Sequence, residues 1–268
     1  MYSQTDTYVT EQANSTVLED VAAGELTPAE AEAQLAGYIT GEAGRFDAAR
    51  EQRRGIPEGI LAEGKTPTEI TELASSALIS TEHAVITRID ADTAETVISS
   101  LSAGESHTFD DRAQTLTIQT NEYSPPETDG TVGIVTGGTA DTAVAGEAAT
   151  VLKEMGVSIE WITDVGVAHL GRVIDHIDTL KQTDVLIVAA GREGALPTVI
   201  AGLVDTPVIG LPVASGYGYD GDGEAALSGL LQSCTVLSVV NIDAGFVAGS
   251  QAGLIVRAID DARKTSDK

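Results

Sequence analysis

The chain has 268 residues, 42% of them hydrophobic, and its 41 acidic and 15 basic side chains give a formal net charge of −26. This apolar content suffices to bury a core in one or two domains, while the negative charge disfavours nucleic acid and anionic lipid as partners. No apolar run reaches the roughly 20 residues of a membrane span, and the N-terminus has no basic leader. We therefore expect a cytoplasmic protein with no nucleic-acid or membrane partner. Its acidity fits either a high-salt cytoplasm, where ions screen self-repulsion, or an ordinary acidic protein.

Residues 1–127 are predicted to form a small α+β domain. Helices are expected where Thr-Pro pairs supply an N-cap and a first-turn proline, over 26–39 and 66–80. Short β-branched runs predict strands at 84–89 and 115–120.

A basic stretch, 45–65, lies between these elements and is unusual in so acidic a chain. Its Arg50, Arg53 and Lys65 are candidate phosphate ligands, because such cations bind phosphate through charge-assisted hydrogen bonds. The same charges could instead form a solvated surface that offsets acidic neighbours, as charge runs usually do. Composition alone favours the solvated surface, and the sequence leaves the choice open.

Residues 128–268 follow a regular pattern in which apolar strands alternate with helical segments. Strands that are apolar throughout are typical of a parallel sheet covered by helices on both faces. Strands are predicted at 131–136, 157–163, 184–190, 206–213 and 236–243. Helices are predicted at 141–155, 170–182, 195–204, 224–234 and 248–264. The pattern predicts a doubly wound, three-layer α/β domain with a parallel sheet.

Ligands of such sheets bind beyond the carboxyl ends of the strands, so the loops there are candidate sites. The first loop holds Gly137, Gly138 and Thr139 before a helix begins, an arrangement suited to a phosphate or a ribose. Asp141 could cap that helix or accept hydrogen bonds from sugar hydroxyls. The loop matches neither the dinucleotide fingerprint nor the P-loop, so it is weak evidence by itself.

Two further loops place charged side chains at the same edge of the sheet. In the second loop Asp164 ends a strand and Arg172 lies within the next helix, so both are eligible ligand contacts. His169, between them, is either a general acid or base or, as is more usual for a histidine, a helix-cap or surface residue. In the third loop Glu193 stands just before a helix, where a carboxylate either favours the helix dipole or acts as a base.

Two features nearer the C-terminus have both structural and functional explanations. Tyr217 lies between glycines in a loop too long for a simple turn, so it either stacks on an aromatic ligand or anchors the loop. Cys234 is the single cysteine, which excludes an internal disulfide. Such a residue is usually a small buried hydrophobe, and the alternative is a nucleophile whose thiolate is favoured by a nearby cation or helix end.

A resemblance to known enzymes is carried by TGGTAD, DVGVAHLGR, AAGREGALP, PVIGLPVASGYG and the run from LLQSC to GFVAG. These segments resemble the class of the aminoimidazole ribonucleotide carboxylases and mutases of purine synthesis. The block FDAAREQRRGIPEGILAEGKTP makes the chain more similar to the carboxylases of nickel-pincer cofactor synthesis. The resemblance implies a flavodoxin-like domain of the purine-carboxylase (PurE) type and a homo-oligomer, an octamer. The substrate-binding positions that it adds are Gly191, Gly194, Ala195, Gly218, Asn241 and Asp243.

The resemblance also implies a reaction, the carboxylation of nicotinate adenine dinucleotide at ring C5. Hydrolysis of the phosphoanhydride then gives pyridinium-3,5-biscarboxylate mononucleotide and AMP. The co-substrate is CO2 or bicarbonate, and Mg2+ is expected with the substrate phosphates, whereas the sequence identifies no metal site in the protein. Cys234 stands at the family's nucleophile position and Glu193 at that of its glutamate, our candidate base. The alternatives are an aminoimidazole ribonucleotide carboxylase or mutase, and a protein that binds a nucleotide without turnover.

Two positions depart from the family pattern. Ala140 stands where relatives usually carry serine, which removes one hydroxyl from the expected phosphate site. Gly171 precedes Arg172 where a histidine is expected. Histidine chemistry of the purine enzymes therefore does not carry over directly to His169.

Overall fold

The computed structural model describes residues 17–24, 31, 35, 37–215 and 221–266. Its first part contains a four-stranded mixed sheet in the order β3-β4-β6-β5, in which β3 and β4 are parallel and the other pairs antiparallel. The elements of this part, including a separate β1-β2 hairpin, are α1 (17–23), β1 (Ile39–Gly41), β2 (Gly44–Phe46), α2 (Arg50–Arg54), β3 (Gly59–Leu61), α3 (Pro67–Thr81), β4 (His83–Thr87), α4 (Ala91–Ser99), β5 (Glu105–Asp110) and β6 (Thr115–Thr120).

Local sequence explains the predicted elements of this part. Helix α3 begins at Thr66, whose side chain accepts from the Glu69 amide while the Glu69 carboxylate accepts from the Thr66 amide, a capping box followed by proline. Helix α3 and strands β4 and β6 confirm the helix predicted at 66–80 and the strands predicted at 84–89 and 115–120. Helix α4, strand β5 and strands β1 to β3 were not predicted. The helix predicted at 26–39 lies largely outside the described residues.

The second part contains a five-stranded sheet whose neighbouring strands are all parallel, in the order β11-β10-β9-β7-β8. Counted along this part of the chain, that is the 2-1-3-4-5 order of flavodoxin-like folds. The elements are β7 (Thr131–Thr136), α5 (Thr142–Glu154), β8 (Ser158–Ile162), α6 (Gly171–Ile174), α7 (Ile177–Leu180), β9 (Val185–Ala190), α8 (Ala195–Ala201), β10 (Val208–Pro212), α9 (Glu224–Leu231), β11 (Ser238–Val239) and α10 (Gly245–Ser266).

Helices cover both faces of this sheet. Buried side chains of α5 and α10 pack on one face, and those of α6, α7 and α8 pack on the other. The predicted three-layer α/β fold is therefore confirmed. Two details differ: the strand predicted at 236–243 is reduced to β11, and the helix predicted at 170–182 is broken into α6 and α7.

The two sheets are joined by close contacts along α5. A Cβ added at Gly146 would lie 2.7 Å from the Cβ of Ala113, so glycine is needed where the turn between β5 and β6 packs on the helix. Thr115 and Thr150 hydroxyls are 2.9 Å apart at the same contact. The predicted domain boundary at 127/128 falls in the segment between the sheets.

A buried ionic cluster fixes the far end of α5 against the first part. His83 is 3% exposed, and its Nδ1 lies 2.9 Å from Glu154 Oε2 while its Nε2 lies 3.3 Å from Glu51 Oε2. The Tyr123 ring stacks on the imidazole with centroids 4.2 Å apart. Gln119 donates its side-chain amide to Glu154, 3.0 Å away. These contacts join α2, β4 and β6 to the last turn of α5.

No helix in the part of the chain that the structure describes combines the length and apolar character needed to cross a membrane.

Candidate active site

A cleft of about 570 Å³ opens at the carboxyl edge of the parallel sheet, between the loops that follow β7, β8 and β9. The volume falls within the range of small-molecule sites. The cleft brings together six of the residues predicted from sequence: Gly137, Gly138, Asp141, Gly191, Glu193 and Ala195. The topology explains this convergence, because the carboxyl ends of parallel strands meet at one edge.

Asp141 is the central carboxylate of the cleft and is only 6% exposed. Its Oδ2 accepts from the Gly138 amide at 2.8 Å, and its Oδ1 accepts from the Ser215 hydroxyl at 2.9 Å. Burial raises the pKa of Asp141, an effect that the hydrogen bonds from Gly138, Ser215 and Gly191 partly oppose. The carboxylate therefore ties together the loops after β7, β9 and β10.

Replacing Asp141 with alanine is expected to lower the free energy of unfolding by about 1–3 kcal/mol, because the part-buried Gly138 amide loses its acceptor. Ser215→Ala is the matched control: it removes one donor to the carboxylate and leaves the backbone hydrogen bonds in place, so its effect is expected to be smaller. Urea unfolding of the two variants measures the difference. Equal stability of Asp141→Ala and the wild type would show that Asp141 does not organise the loops.

Glu193 lies at the mouth of the cleft with an exposed side chain, one residue before the N-cap of α8, Gly194. The residues on either side of it have left-handed backbones, with φ of 53° at Arg192 and 64° at Gly194. A Cβ on Gly194 would lie 2.5 Å from the Ala226 carbonyl oxygen, so only glycine allows α9 to pack against this turn. The tight turn holds Glu193 at the edge of the cleft, where a carboxylate can reach a bound ligand.

Asp164 and Arg172 form a pair just outside the cleft. Arg172 Nη1 donates to Asp164 Oδ2 at 2.9 Å and to the Asp164 carbonyl at 2.8 Å. The pair fixes the loop that contributes Gly166 and Ala168 to the cleft wall. His169 lies in the same loop and is exposed.

The basic residues predicted to bind phosphate are engaged within the first part of the chain. Arg50 pairs with Glu58 at 2.9 Å, Arg53 pairs with Asp47, and Lys65 donates to the Leu61 carbonyl at 2.6 Å. None of Arg50, Arg53 and Lys65 lines the cleft of its own chain. Their role as phosphate ligands stays a prediction.

The remaining binding residues predicted from sequence are spread around the loops after β10 and β11. Asp243 Oδ1 accepts from the Ala214 amide at 2.9 Å, which holds the start of the loop that contains Ser215. Asn241 is exposed and accepts from the Ile242 amide through its own side chain. Tyr217 and Gly218 lie outside the described residues.

Cys234 is exposed and lies in the connector between α9 and β11. Its neighbours on either side bond to α8: the Thr198 hydroxyl donates to Ser233 Oγ at 2.9 Å and the Thr235 hydroxyl donates to the Thr198 carbonyl. This connector precedes β11, so it approaches the edge of the sheet opposite to the cleft. Glu193 lines the cleft, whereas Cys234 does not line its described part.

Arg112 was not predicted from sequence, yet it reaches the first loop of the cleft. It projects from the turn between β5 and β6, and its Nη2 donates to the Thr139 carbonyl. The Thr142 hydroxyl donates to the same carbonyl at 2.5 Å. A cation from the first part of the chain is thereby held at the loop after β7, which contains Gly137, Gly138 and Thr139 and is called the glycine-rich loop below.

Two parts of the chain match known protein families. Residues 131–266, half of the chain, match the family described as AIR carboxylase. The chain belongs to the AIR carboxylase family. Residues 39–121 match the LarB/PurE-like N-terminal domain. The cleft, the Asp141 network and Glu193 thus lie in the AIR carboxylase part, and Arg112 reaches it from the LarB/PurE-like part.

Similar proteins include both characterised and uncharacterised ones. An uncharacterized protein of Methanocaldococcus jannaschii is 37% identical over 220 residues, which cover 80% of this chain and 84% of that protein. The N5-carboxyaminoimidazole ribonucleotide mutase of Pyrococcus horikoshii is 33% identical over 139 residues, 50% of this chain and 67% of the mutase. The crystal structure of Treponema denticola PurE aligns with 51% of this chain and 97% of its own, with 19% identity and a TM-score of 0.36.

The described residues of this AIR carboxylase family member do not form a protein metal site. No group of three or more His, Cys, Asp or Glu side chains is arranged there to hold an ion.

Sequence reasoning missed Ser215, Arg192 and Arg112 among the residues at or near the cleft. The sequence around Ser215 did indicate a binding position, since this residue follows the carboxyl end of β10, where ligands of parallel sheets bind. Arg112 carried none, because its approach to Thr139 depends on the docking of two separate sheets.

Proposed function

We propose that this AIR carboxylase family member carboxylates the pyridinium ring of nicotinate adenine dinucleotide and hydrolyses its phosphoanhydride. The products are pyridinium-3,5-biscarboxylate mononucleotide and AMP, as required for nickel-pincer cofactor synthesis, and the setting is the cytoplasm. One observation supports this substrate above all: a LarB/PurE-like N-terminal domain is docked on the glycine-rich loop of the cleft through Arg112. A mononucleotide substrate does not require that domain.

The chemistry needs a nucleophile, because a pyridinium ring is too electron-poor to attack CO2. Addition of the Cys234 thiolate next to the ring nitrogen makes an enamine whose C5 carries electron density. C5 then bonds to CO2, a base removes the C5 proton, and departure of the thiolate restores the aromatic ring and the free cysteine. Glu193, an exposed carboxylate at the mouth of the cleft, is the proposed base. Water is consumed in the separate cleavage of the phosphoanhydride. Mg2+ would travel with the substrate phosphates, and neither part of the reaction is routed through an ion held by the protein.

Glu193 lines the cleft of its own chain and Cys234 does not line the described part of it, so the cysteine at each cleft can come from another copy of the chain. Cys234 is exposed, and two apolar side chains close to it in sequence are exposed as well, Leu231 at 68% and Val236 at 96%. Apolar side chains of that size at an exposed connector are suited to contact another protein surface. We therefore propose that a homo-oligomer, an octamer by family resemblance, places Cys234 of one copy at the cleft of its neighbour.

The likeness to the mutase of Pyrococcus horikoshii supports a second candidate, a carboxylase or mutase of aminoimidazole ribonucleotide. That likeness covers the part of the chain that forms the cleft. The chemistry on aminoimidazole ribonucleotide requires neither a thiolate nor the N-terminal domain.

A substrate comparison tests the proposal. Purified protein at high salt is incubated with bicarbonate, Mg2+ and either nicotinate adenine dinucleotide or carboxyaminoimidazole ribonucleotide, and products are identified by liquid chromatography and mass spectrometry. The expected result is a doubly carboxylated mononucleotide and AMP from the dinucleotide, with no conversion of the ribonucleotide. Conversion of the ribonucleotide alone would replace the proposal with the second candidate.

A further inference from the structure

A second pocket adjoins the cleft on the other side of the glycine-rich loop. Its volume is about 410 Å³. The first part of the chain contributes Asp110 and Arg112, and the second contributes Thr139, Thr142, Trp161 and Thr163. The docking of two domains therefore creates this pocket, and it does not exist in the sheet domain alone.

Trp161 supplies an accessible aromatic surface in this pocket. It lies on the edge strand β8 and is 40% exposed, although an indole is one of the most favourable side chains to bury. Aromatic side chains that remain accessible beside cationic groups are suited to stack on nucleobases. Threonine hydroxyls on the loop and at the end of β8 complete a polar rim.

Arg112 supplies the positive charge. Its hydrogen bond to the Thr139 carbonyl occupies one of the five N–H donors of the guanidinium group. The guanidinium group is held where the loop separates the two pockets. On this loop Ala140 and Asp141 line the cleft, whereas Thr139 and Thr142 line the second pocket. A phosphate chain that crosses from one pocket to the other must pass this arginine. The formal charge of the chain is −26, so most of its surface repels phosphate. An arginine held between the two pockets therefore indicates a place where phosphate can bind.

We propose that this pocket binds the adenosine 5′-phosphate half of the dinucleotide, with the adenine on Trp161 and the pyrophosphate at Arg112. This assignment rests on the proposed function, since a dinucleotide is the substrate that would fill both pockets. The pyridinium nucleotide then occupies the cleft beside Asp141 and Glu193. The N-terminal domain thus acts as a specificity element that distinguishes a dinucleotide from a mononucleotide.

The chain contains one tryptophan, so its fluorescence reports on this pocket directly. AMP is titrated into the full-length protein at high salt, alone and in the presence of saturating nicotinate mononucleotide. The expected result is a saturable change in Trp161 emission by AMP that nicotinate mononucleotide does not prevent. Absence of AMP binding, or its displacement by nicotinate mononucleotide, would overturn the assignment.

Variants then separate the stacking surface from the charge, with dissociation constants from equilibrium dialysis of AMP. Trp161→Leu is expected to weaken AMP binding about tenfold or more, the effect of losing a base–aromatic stack, whereas Trp161→Phe keeps most of the affinity. Arg112→Gln is expected to weaken it comparably. Arg88→Gln is the matched control, because Arg88 also projects from the first part of the chain but donates to the Asp243 carbonyl and does not line this pocket.

Different results would contradict the adenosine site and the proposed carboxylation. Turnover of the dinucleotide with an unchanged KM in Trp161→Leu would overturn the adenosine site and leave the carboxylase intact. AMP binding that is lost in Trp161→Leu, in a protein that does not turn over the dinucleotide, would support the site and remove the proposed reaction.

Discussion

Replacing Cys234 with alanine is expected to abolish carboxylation, with a fall in turnover of roughly a thousandfold or more, the size seen when a covalent nucleophile is removed. Without the thiolate the pyridinium ring never becomes an enamine, so CO2 has nothing to react with. Turnover of the dinucleotide and the intact-protein mass measure the two consequences. The wild type is expected to show a dinucleotide adduct and the variant none. Ser233→Ala changes the same connector but keeps the thiol, so it should keep the adduct.

Because Glu193 lines the described part of the cleft and Cys234 does not, a combination of variants tests whether the two groups come from different copies. Cys234→Ala and Glu193→Gln are each expected to be inactive, the second by loss of the base, typically worth about 10²–10⁴-fold. If each site is built from two copies, mixed oligomers reassembled from the two variants contain some sites with both functional groups and regain part of the activity. Mixed oligomers that stay inactive would show that both groups act within one chain.

The second large effect concerns stability: replacing His83 with alanine is expected to lower the free energy of unfolding by about 3–5 kcal/mol, as when one partner of a buried ion pair is removed. Glu154, which is 5% exposed, would lose the partner at 2.9 Å that compensates its burial. Urea unfolding measures the loss. His107→Ala is the matched control, because His107 lies exposed on β5 of the same sheet.

The same cluster gives the stability a defined pH dependence. Burial by itself lowers the pKa of His83, but hydrogen bonds to Glu154 and Glu51, with their negative charges, outweigh burial and raise it from 6.5 to about 9. Because the folded pKa exceeds the unfolded one, the protonated imidazole stabilises the fold in full below pH 6.5 and progressively less as the pH rises to about 9. A shift of this size corresponds to a loss on the order of 3 kcal/mol across the window.

His83→Gln tests the pH dependence without creating a cavity. The amide can keep a hydrogen bond to Glu154 but cannot titrate, so the slope of stability against pH between 6.5 and 9 should be largely removed. A wild type and a variant whose unfolding free energies stay parallel across that range would show that His83 is not the titrating group.

The parallel sheet could be predicted from the sequence because the pattern that indicates each strand lies within a few consecutive residues. In the sequence each apolar strand is followed by a loop and a helix, which predicts that Gly137, Asp141, Gly191 and Glu193 lie at one edge of the sheet. The carboxylate network at Asp141 was not predictable in detail, since Ser215 reaches it from 74 residues away.

Docking between the two sheets was beyond sequence reasoning. The basic stretch at 45–65 is dense in charge, yet Arg50 and Arg53 form ion pairs with Glu58 and Asp47 nearby. Arg112, an isolated arginine in a turn, reaches the glycine-rich loop instead. Charge density along the chain measures local composition, whereas a binding role depends on which surfaces the fold brings together.

The most direct test of the account is nuclear magnetic resonance of the product formed from nicotinate adenine dinucleotide and ¹³C-bicarbonate. We predict one labelled carboxyl group on the pyridinium ring and equivalent H2 and H6 protons, because carboxylates at C3 and C5 make the two sides of the ring identical. A folded wild-type protein that leaves the ring unlabelled, with H2 and H6 still distinct, would contradict the proposed carboxylation.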